Sequence, residues 1–346
     1  MIPTKPELLH TAPWRREMAK AVIEPQELIR RLDLPCSAVD LEANSDFPLR
    51  VPESFIARME QGNPRDPLLL QVLPQGRETR FVSGYHLDPV GDQASMAVPG
   101  VIHKYRGRVL LVATASCALH CRYCFRRHFP YADANPKSDQ WRAALSYIAG
   151  DSTIREVILS GGDPLLLSDS RLSNLIDRLE TIPHLRRVRI HTRLPVILPS
   201  RVDGALLRWL GKGRLPMVMV IHANHPNELD GTVGQVLQKI AAAGVTLLNQ
   251  SVLLKGINDQ VETLNNLSEM LFSAGVTPYY LHLLDKVQGA AHFDVGEEAA
   301  LSLMEAMRNS LPGYLVPRLV REREGAPAKQ LISETFRKTG GIPEDI

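Results

Sequence analysis

Short apolar runs recur along this chain, each followed by a stretch of helical periodicity. The runs are Val109 to Ala113, Val157 to Ser160, Val188 to Thr192, Met217 to His222, Thr246 to Gln250 and Tyr279 to Leu283. The helical stretches lie near Asp139 to Ala149, Arg171 to Glu180, Asp203 to Leu210, Val233 to Ala243, Thr263 to Ala274 and Glu297 to Arg308. Such repetition makes successive strands parallel, because the chain must cross back over the sheet before starting the next strand, and the crossovers are right-handed. The expectation is an α/β fold, either doubly wound or curled as a barrel. Six units are fewer than the eight of a closed (β/α)8 barrel, so a barrel built from them is partial.

In parallel α/β folds the reactive groups gather at the carboxyl edge of the sheet, where loops and helix amino-termini meet. Here every expected strand ends in polar residues. Cys117 follows the first, S-G-G-D-P (Ser160 to Pro164) the second and His191 to Arg193 the third. The fourth ends at His222, the fifth at Asn249 and Gln250, and the sixth leads through His282 to Asp285. Any one of these alone reads more readily as a satisfied core residue. Together they point to one site.

Residues 1–95 look mainly helical and polar, with periodicity from Trp14 to Leu32, a shorter amphipathic piece from Pro52 to Glu60, and an N-P-R-D-P loop around Pro64 and Pro67. A packing or gating role is expected there. The strand–helix core spans residues 96–315 and a carboxy-terminal segment residues 316–346. With 346 residues, 44% of them hydrophobic, the chain can bury a large core. Forty Lys and Arg against 38 Asp and Glu leave a net charge of +2, which asks for neither nucleic acid nor an anionic membrane. No apolar run approaches the length of a membrane helix, and the start M-I-P-T-K-P-E-L-L-H lacks a signal-peptide layout. Of four cysteines three are clustered, which argues against a disulfide framework and for a reducing, cytoplasmic setting. Cys36, apart from the others, reads as structural.

The clustered cysteines form C-x3-C-x2-C at Cys117, Cys121 and Cys124. A closed zinc site wants four ligands, so three suit a [4Fe-4S] cubane with one iron left open, although His103, His120 or His128 offers a zinc site its fourth ligand. With Tyr123 before the last cysteine, the spacing resembles the radical S-adenosylmethionine (SAM) enzymes, whose fold is the partial barrel. Gly161, Gly162 and Asp163 resemble the segment with which those enzymes hold SAM; a turn capping the next helix is the plain alternative.

Longer stretches carry a narrower resemblance: R-V-P-E-S-F-I-A-R-M from Arg50, P-G-V-I-H-K-Y-R-G-R from Pro99, C-R-Y-C-F-R-R-H-F-P-Y from Cys121, L-N-Q-S-V-L-L-K-G-I-N-D from Leu248, and Y-Y-L-H-L-L-D-K-V-Q-G-A-A-H-F from Tyr279. Over about Arg50 to Lys329 the chain resembles the lysine 2,3-aminomutases. It looks most like the branch that makes β-lysine for elongation factor P, since no cysteine follows Cys124 where catabolic members carry further metal-binding cysteines.

The resemblance implies a [4Fe-4S] cluster, SAM and pyridoxal 5′-phosphate (PLP), with L-lysine as substrate. An external electron donor and a β-lysine ligase acting on elongation factor P are the implied partners, and a homodimer is the expected assembly. Several lysines, among them Lys104, Lys212, Lys255 and Lys286, are indistinguishable by composition; the resemblance selects Lys329, in G-A-P-A-K, as the PLP lysine. It implies Lys104, Tyr105 and Arg108 for the PLP phosphate, with Lys104 standing where catabolic relatives have arginine. It implies Arg126 for the substrate carboxylate, Asp285 and Glu322 for the far ammonium, and His222, Gln250 and Arg193 for SAM. Rival readings are an aminomutase for another amino acid such as glutamate, which an acid pair would repel, and a cluster- or zinc-binding module without turnover.

Overall fold

The computed structural model describes residues 12–35, 47–131 and 141–333. Cys36 and the first residues of the helix expected from Asp139 fall outside them. Ten strands form one sheet in strictly sequential order. These are β1 (Met96–Val98), β2 (Val101–Tyr105), β3 (Arg108–Thr114), β4 (Glu156–Gly161), β5 (Arg187–Thr192), β6 (Met217–Ile221), β7 (Thr246–Val252), β8 (Thr277–His282), β9 (Arg318–Arg321) and β10 (Gln330–Leu331). From β3 to β9 all neighbours pair in parallel, whereas β1, β2 and β3 pair antiparallel at one edge and β9 with β10 at the other.

Sequential order decides between the two architectures left open by the sequence. A doubly wound sheet reverses its winding direction; here every crossover steps the same way, so the helices collect on one face and the sheet curls around the other. The result is a partial barrel whose first and last strands do not meet. All six expected strands are present, and β9 adds a seventh parallel one. Its sequence, R-L-V-R, has no apolar run to announce it.

Strand periodicity sorts side chains between the two faces. Along β5, Val188 and Ile190 join the core under the helices, while Arg189 and His191 face the barrel interior. The helix Asp169–Glu180 covers this outer face with Leu172, Leu175, Ile176 and Leu179, and the Ser168 hydroxyl accepts the Arg171 N–H at its start. The helix Gly231–Ala242 does the same with Val233, Val236, Leu237 and Ile240, capped by Asp230. Each fully buried Leu or Ile of this layer contributes about 1.5–3 kcal/mol.

Before the barrel come short helices at Pro13–Ala19, Pro25–Arg31, Glu53–Ile56 and Pro67–Leu70. Three of them begin on proline, whose fixed φ suits the first helical position. Trp14 and Met18 of the first join the main core, while Leu28, Phe55, Leu68 and Leu69 of the other three, with Leu49 between them, make a separate cluster that closes over Leu119 and Ile197. Leu119 belongs to the cysteine loop, so this region is the wall on which that loop rests. No helix among the described residues is long and apolar enough to cross a membrane.

Candidate active site

The barrel interior holds a cavity of about 410 Å³, lined by every residue given a cofactor or substrate role above. At one end lies the loop after β3. Its two turns are fixed by the Cys124 N–H donating to Cys121 O at 3.0 Å and the Arg127 N–H to Cys124 O at 3.1 Å. Arg122 is fully buried and directs its guanidinium away from the cavity onto Glu78, with Nε 2.9 and 3.1 Å from the two carboxylate oxygens; Arg127 Nη1 reaches the same carboxylate at 3.0 Å. These arginines pin the loop and form no basic patch.

The three thiols are free and line the cavity together. Burial pushes Cys117 up and, with Cys121 nearby, pushes Cys124 up to about 11. The candidate fourth ligands are engaged elsewhere: His103 with the Tyr147 hydroxyl at 2.7 Å, His120 with Pro48 O at 2.8 Å and His128 with Gln288 O at 3.2 Å. Among the described residues no group of three His, Cys, Asp or Glu side chains converges as ligands of one ion. A mononuclear zinc site needs all its donors within about 2.3 Å of one point, whereas a cubane takes each cysteine on a different iron. The donor set therefore fits a cluster.

Beside the cysteines the turn after β4 comes close to the loop. Gly162 N–H donates to Thr114 O at 2.7 Å and Asp163 N–H to Ser116 O at 2.8 Å. A Cβ on Gly162 would stand 2.2 Å from Ser116 O, and Gly161 has φ +110°, so both positions require glycine. The Asp163 carboxylate is directed inward to the fold: it accepts from the Thr192 hydroxyl and from the backbone N–H of Leu165, Arg193 and Leu194. It thus fixes the turn whose backbone faces the cavity.

Arg193 joins the cysteine loop to a buried polar web. Its Nη1 donates to Cys121 Sγ at 2.9 Å, and its Nη2 to Gln71 Oε1 at 2.6 Å and Glu228 Oε2 at 2.8 Å. Asn224 Nδ2 donates to Gln71 Oε1 and to the Tyr123 hydroxyl, which is 2.9 Å from His222 Nε2. Burial, reinforced by the Arg193 charge, lowers His222 to about 3, so it stands neutral in the lining, one strand over from Gln250.

The rest of the lining is ionic. Arg126 Nε donates to Asp92 Oδ2 at 2.7 Å, Lys104 Nζ lies 2.5 Å from Asp92 Oδ1 and 3.0 Å from Glu322 Oε1, and Lys329 Nζ lies 2.8 Å from Glu322 Oε2. The two lysines hold Glu322 well below the usual carboxylate range against the opposing effect of burial. Asp285 differs. Burial, aided by the nearby Glu322 charge, raises it to about 7, and its Oδ1 has no partner. Arg108 stacks over the Tyr105 ring at 4.6 Å. His191, half-buried, and His282, buried, both pushed down by desolvation, complete this wall with unpartnered Nε2 atoms. These orphaned polar atoms and the free cation-facing carboxyl suit a polar, charged ligand rather than an apolar one.

Asp92, Gln71, Asn224 and Glu228 were not singled out in the sequence. Asp92 sits in a V-G-D-Q loop without periodicity, and Gln71 meets Glu228 across 157 residues, a separation no local pattern encodes. Glu228 had a faint signal: H-P-N-E closes a capping box at its turn.

The family described as a 4Fe-4S single cluster domain matches residues 105–188. The chain is also similar to curated proteins named L-lysine 2,3-aminomutase. That of Haemophilus influenzae is 48% identical over 337 residues, covering 96% of this chain and 99% of the relative. Those of Escherichia coli and Buchnera aphidicola are 49% and 40% identical, each covering 94% of this chain and 96% of the relative.

Proposed function

Because this chain belongs to the L-lysine 2,3-aminomutase family, we propose that it is the isomerase that moves the amino group of L-lysine from C2 to C3, giving β-lysine. The observation that carries the reading is the pairing of 48% identity over 96% of the chain with one cavity lined both by three thiols and by the acid-bound Lys329. When bound, a [4Fe-4S] cluster with SAM supplies one-electron chemistry at an unactivated carbon, and PLP supplies a carrier for the migrating nitrogen.

The chain's own residues orient and shield. Cys117, Cys121 and Cys124 hold the cluster, while the Gly161–Gly162 backbone, fixed by Asp163, admits SAM beside it with His222, Gln250 and Arg193. Tyr105 and Arg108 face the phosphate end of PLP, and Lys329 offers it an amine. Arg126 takes the substrate carboxylate as a planar fork, and Asp285 with Glu322 takes the far ammonium, whose desolvation a neutral pocket would leave uncompensated. A substrate ending in a carboxylate, such as glutamate, meets two acids instead and is excluded.

The free thiols suit a reducing cytoplasm, a homodimer and an external electron donor complete the enzyme, and the product passes to a ligase that modifies elongation factor P. The test is direct. Anaerobically reconstituted protein given lysine, SAM, PLP and reductant yields β-lysine, and Lys329→Ala abolishes the product while leaving iron–sulfur absorption unchanged; a fully loaded wild-type protein that makes no β-lysine overturns the reading.

A further inference from the structure

An ammonium has three N–H donors and no more. Those of Lys104 face three acceptors of the protein itself: Asp92 Oδ1 at 2.5 Å, Glu322 Oε1 at 3.0 Å and Val90 O at 2.7 Å. Its side chain is 12% exposed and lies between the two carboxylates, which are 3% and 14% exposed. A phosphate on Lys104 would have to displace one of these buried acceptors and leave it without its partner.

The two acids it joins have different duties. Asp92 accepts from Arg126 at 2.7 Å and so sets the clamp for the substrate carboxylate; Glu322 is an anchor for the ammonium at the other end. One compact cation therefore spans the two recognition ends of the site. We propose that Lys104 is a positioning residue, a strut fixing the distance between carboxylate clamp and ammonium anchor, and hence the length of amino acid accepted, and that it is not a ligand of the PLP phosphate. This rests on the aminomutase reading given above.

The chemistry favours lysine at this place. A compact ammonium can meet acceptors from three directions, whereas a planar guanidinium fork presents its donors in one plane. Without the cation, Asp92 and Glu322 repel each other across an emptied space. Each is then left to its other partner, Arg126 or Lys329, and the two anchors are no longer tied.

The experiment measures binding without turnover. PLP is titrated by its absorbance into reconstituted protein, and L-lysine and the one-methylene-shorter L-ornithine are then titrated by calorimetry into the PLP- and SAM-loaded protein without reductant. In Lys104→Met and Lys104→Gln, PLP affinity should stay within about threefold of wild type, while the preference for lysine over ornithine should fall about tenfold or more. Arg108→Ala, read the same way, should lose PLP affinity and keep the lysine preference. Either loss of PLP affinity by about tenfold in both Lys104 variants or an unchanged lysine preference overturns the proposal. Iron–sulfur absorption and thermal midpoint confirm that the variants are folded. Absence of β-lysine from the wild-type protein would sink the aminomutase reading instead, and these binding ratios are obtained independently of that result.

Discussion

Arg193 donates to Cys121, one of the three cysteines proposed to hold the cluster, without being a ligand itself. A guanidinium donating to a cysteine sulfur stabilises negative charge there, and so stabilises the more reduced cluster. Arg193→Gln should therefore make the midpoint potential of the reconstituted cluster more negative in an EPR-monitored reductive titration; an unchanged potential would show that the Arg193–Cys121 contact does not tune the cluster. Asp285 supplies a second prediction. A carboxyl raised from 3.8 to about 7 must lose its proton before it can pair with an ammonium. Lysine binding should thus weaken as pH falls from about 8 to about 6, and Asp285→Asn should bind less tightly but flatten that dependence, both read by calorimetry. The same shift favours the protonated acid in the folded state, so this group's ionisation subtracts stability as pH rises from the ordinary carboxylate range to about 7.

At the level of elements, the turn between β4 and its following helix meets the cysteine loop at van der Waals limits. A Cβ on Gly162 would meet Ser116 backbone atoms at 2.2, 2.6 and 2.8 Å, so Gly162→Ala must move the loop that carries Cys117. The variant should fold with unchanged far-ultraviolet dichroism and take up far less iron and sulfide than wild type. Much at this scale was legible in advance. Apolar runs such as Val157 to Ser160 became strands because both faces are covered and so call for apolar residues, and the polar residues ending those strands gather in one cavity, except Asn249, whose amide is turned away to bond the Ala223 backbone. β9 was not legible. Four residues, of which the first and last are arginines, give no periodicity, and its identity as a strand comes from the pairing that β8 imposes. Nor could spacing show that Lys104 bonds Glu322 from 218 residues away, a contact made only once the barrel has curled.

For the whole molecule, one carboxylate of the amino-terminal region carries two arginines of the cysteine loop. Glu78 receives both Arg122 and Arg127 with side-chain exposures of 2%, 0% and 4%, so neutralising it strands two guanidinium charges out of water. Glu78→Gln should cost about 3–5 kcal/mol in denaturant unfolding and release the cysteine loop from its support. At the opposite edge, Glu322 follows directly on β9 and Lys329 directly precedes β10, so the last antiparallel ribbon carries both the amine and the acid that holds it. A chain emerging from the ribosome would complete its sulfur-bearing loop some two hundred residues before that ribbon. Synthesis thus has a built-in order: Tyr105, Arg108 and the three thiols are all made long before the amine that joins them in the cavity.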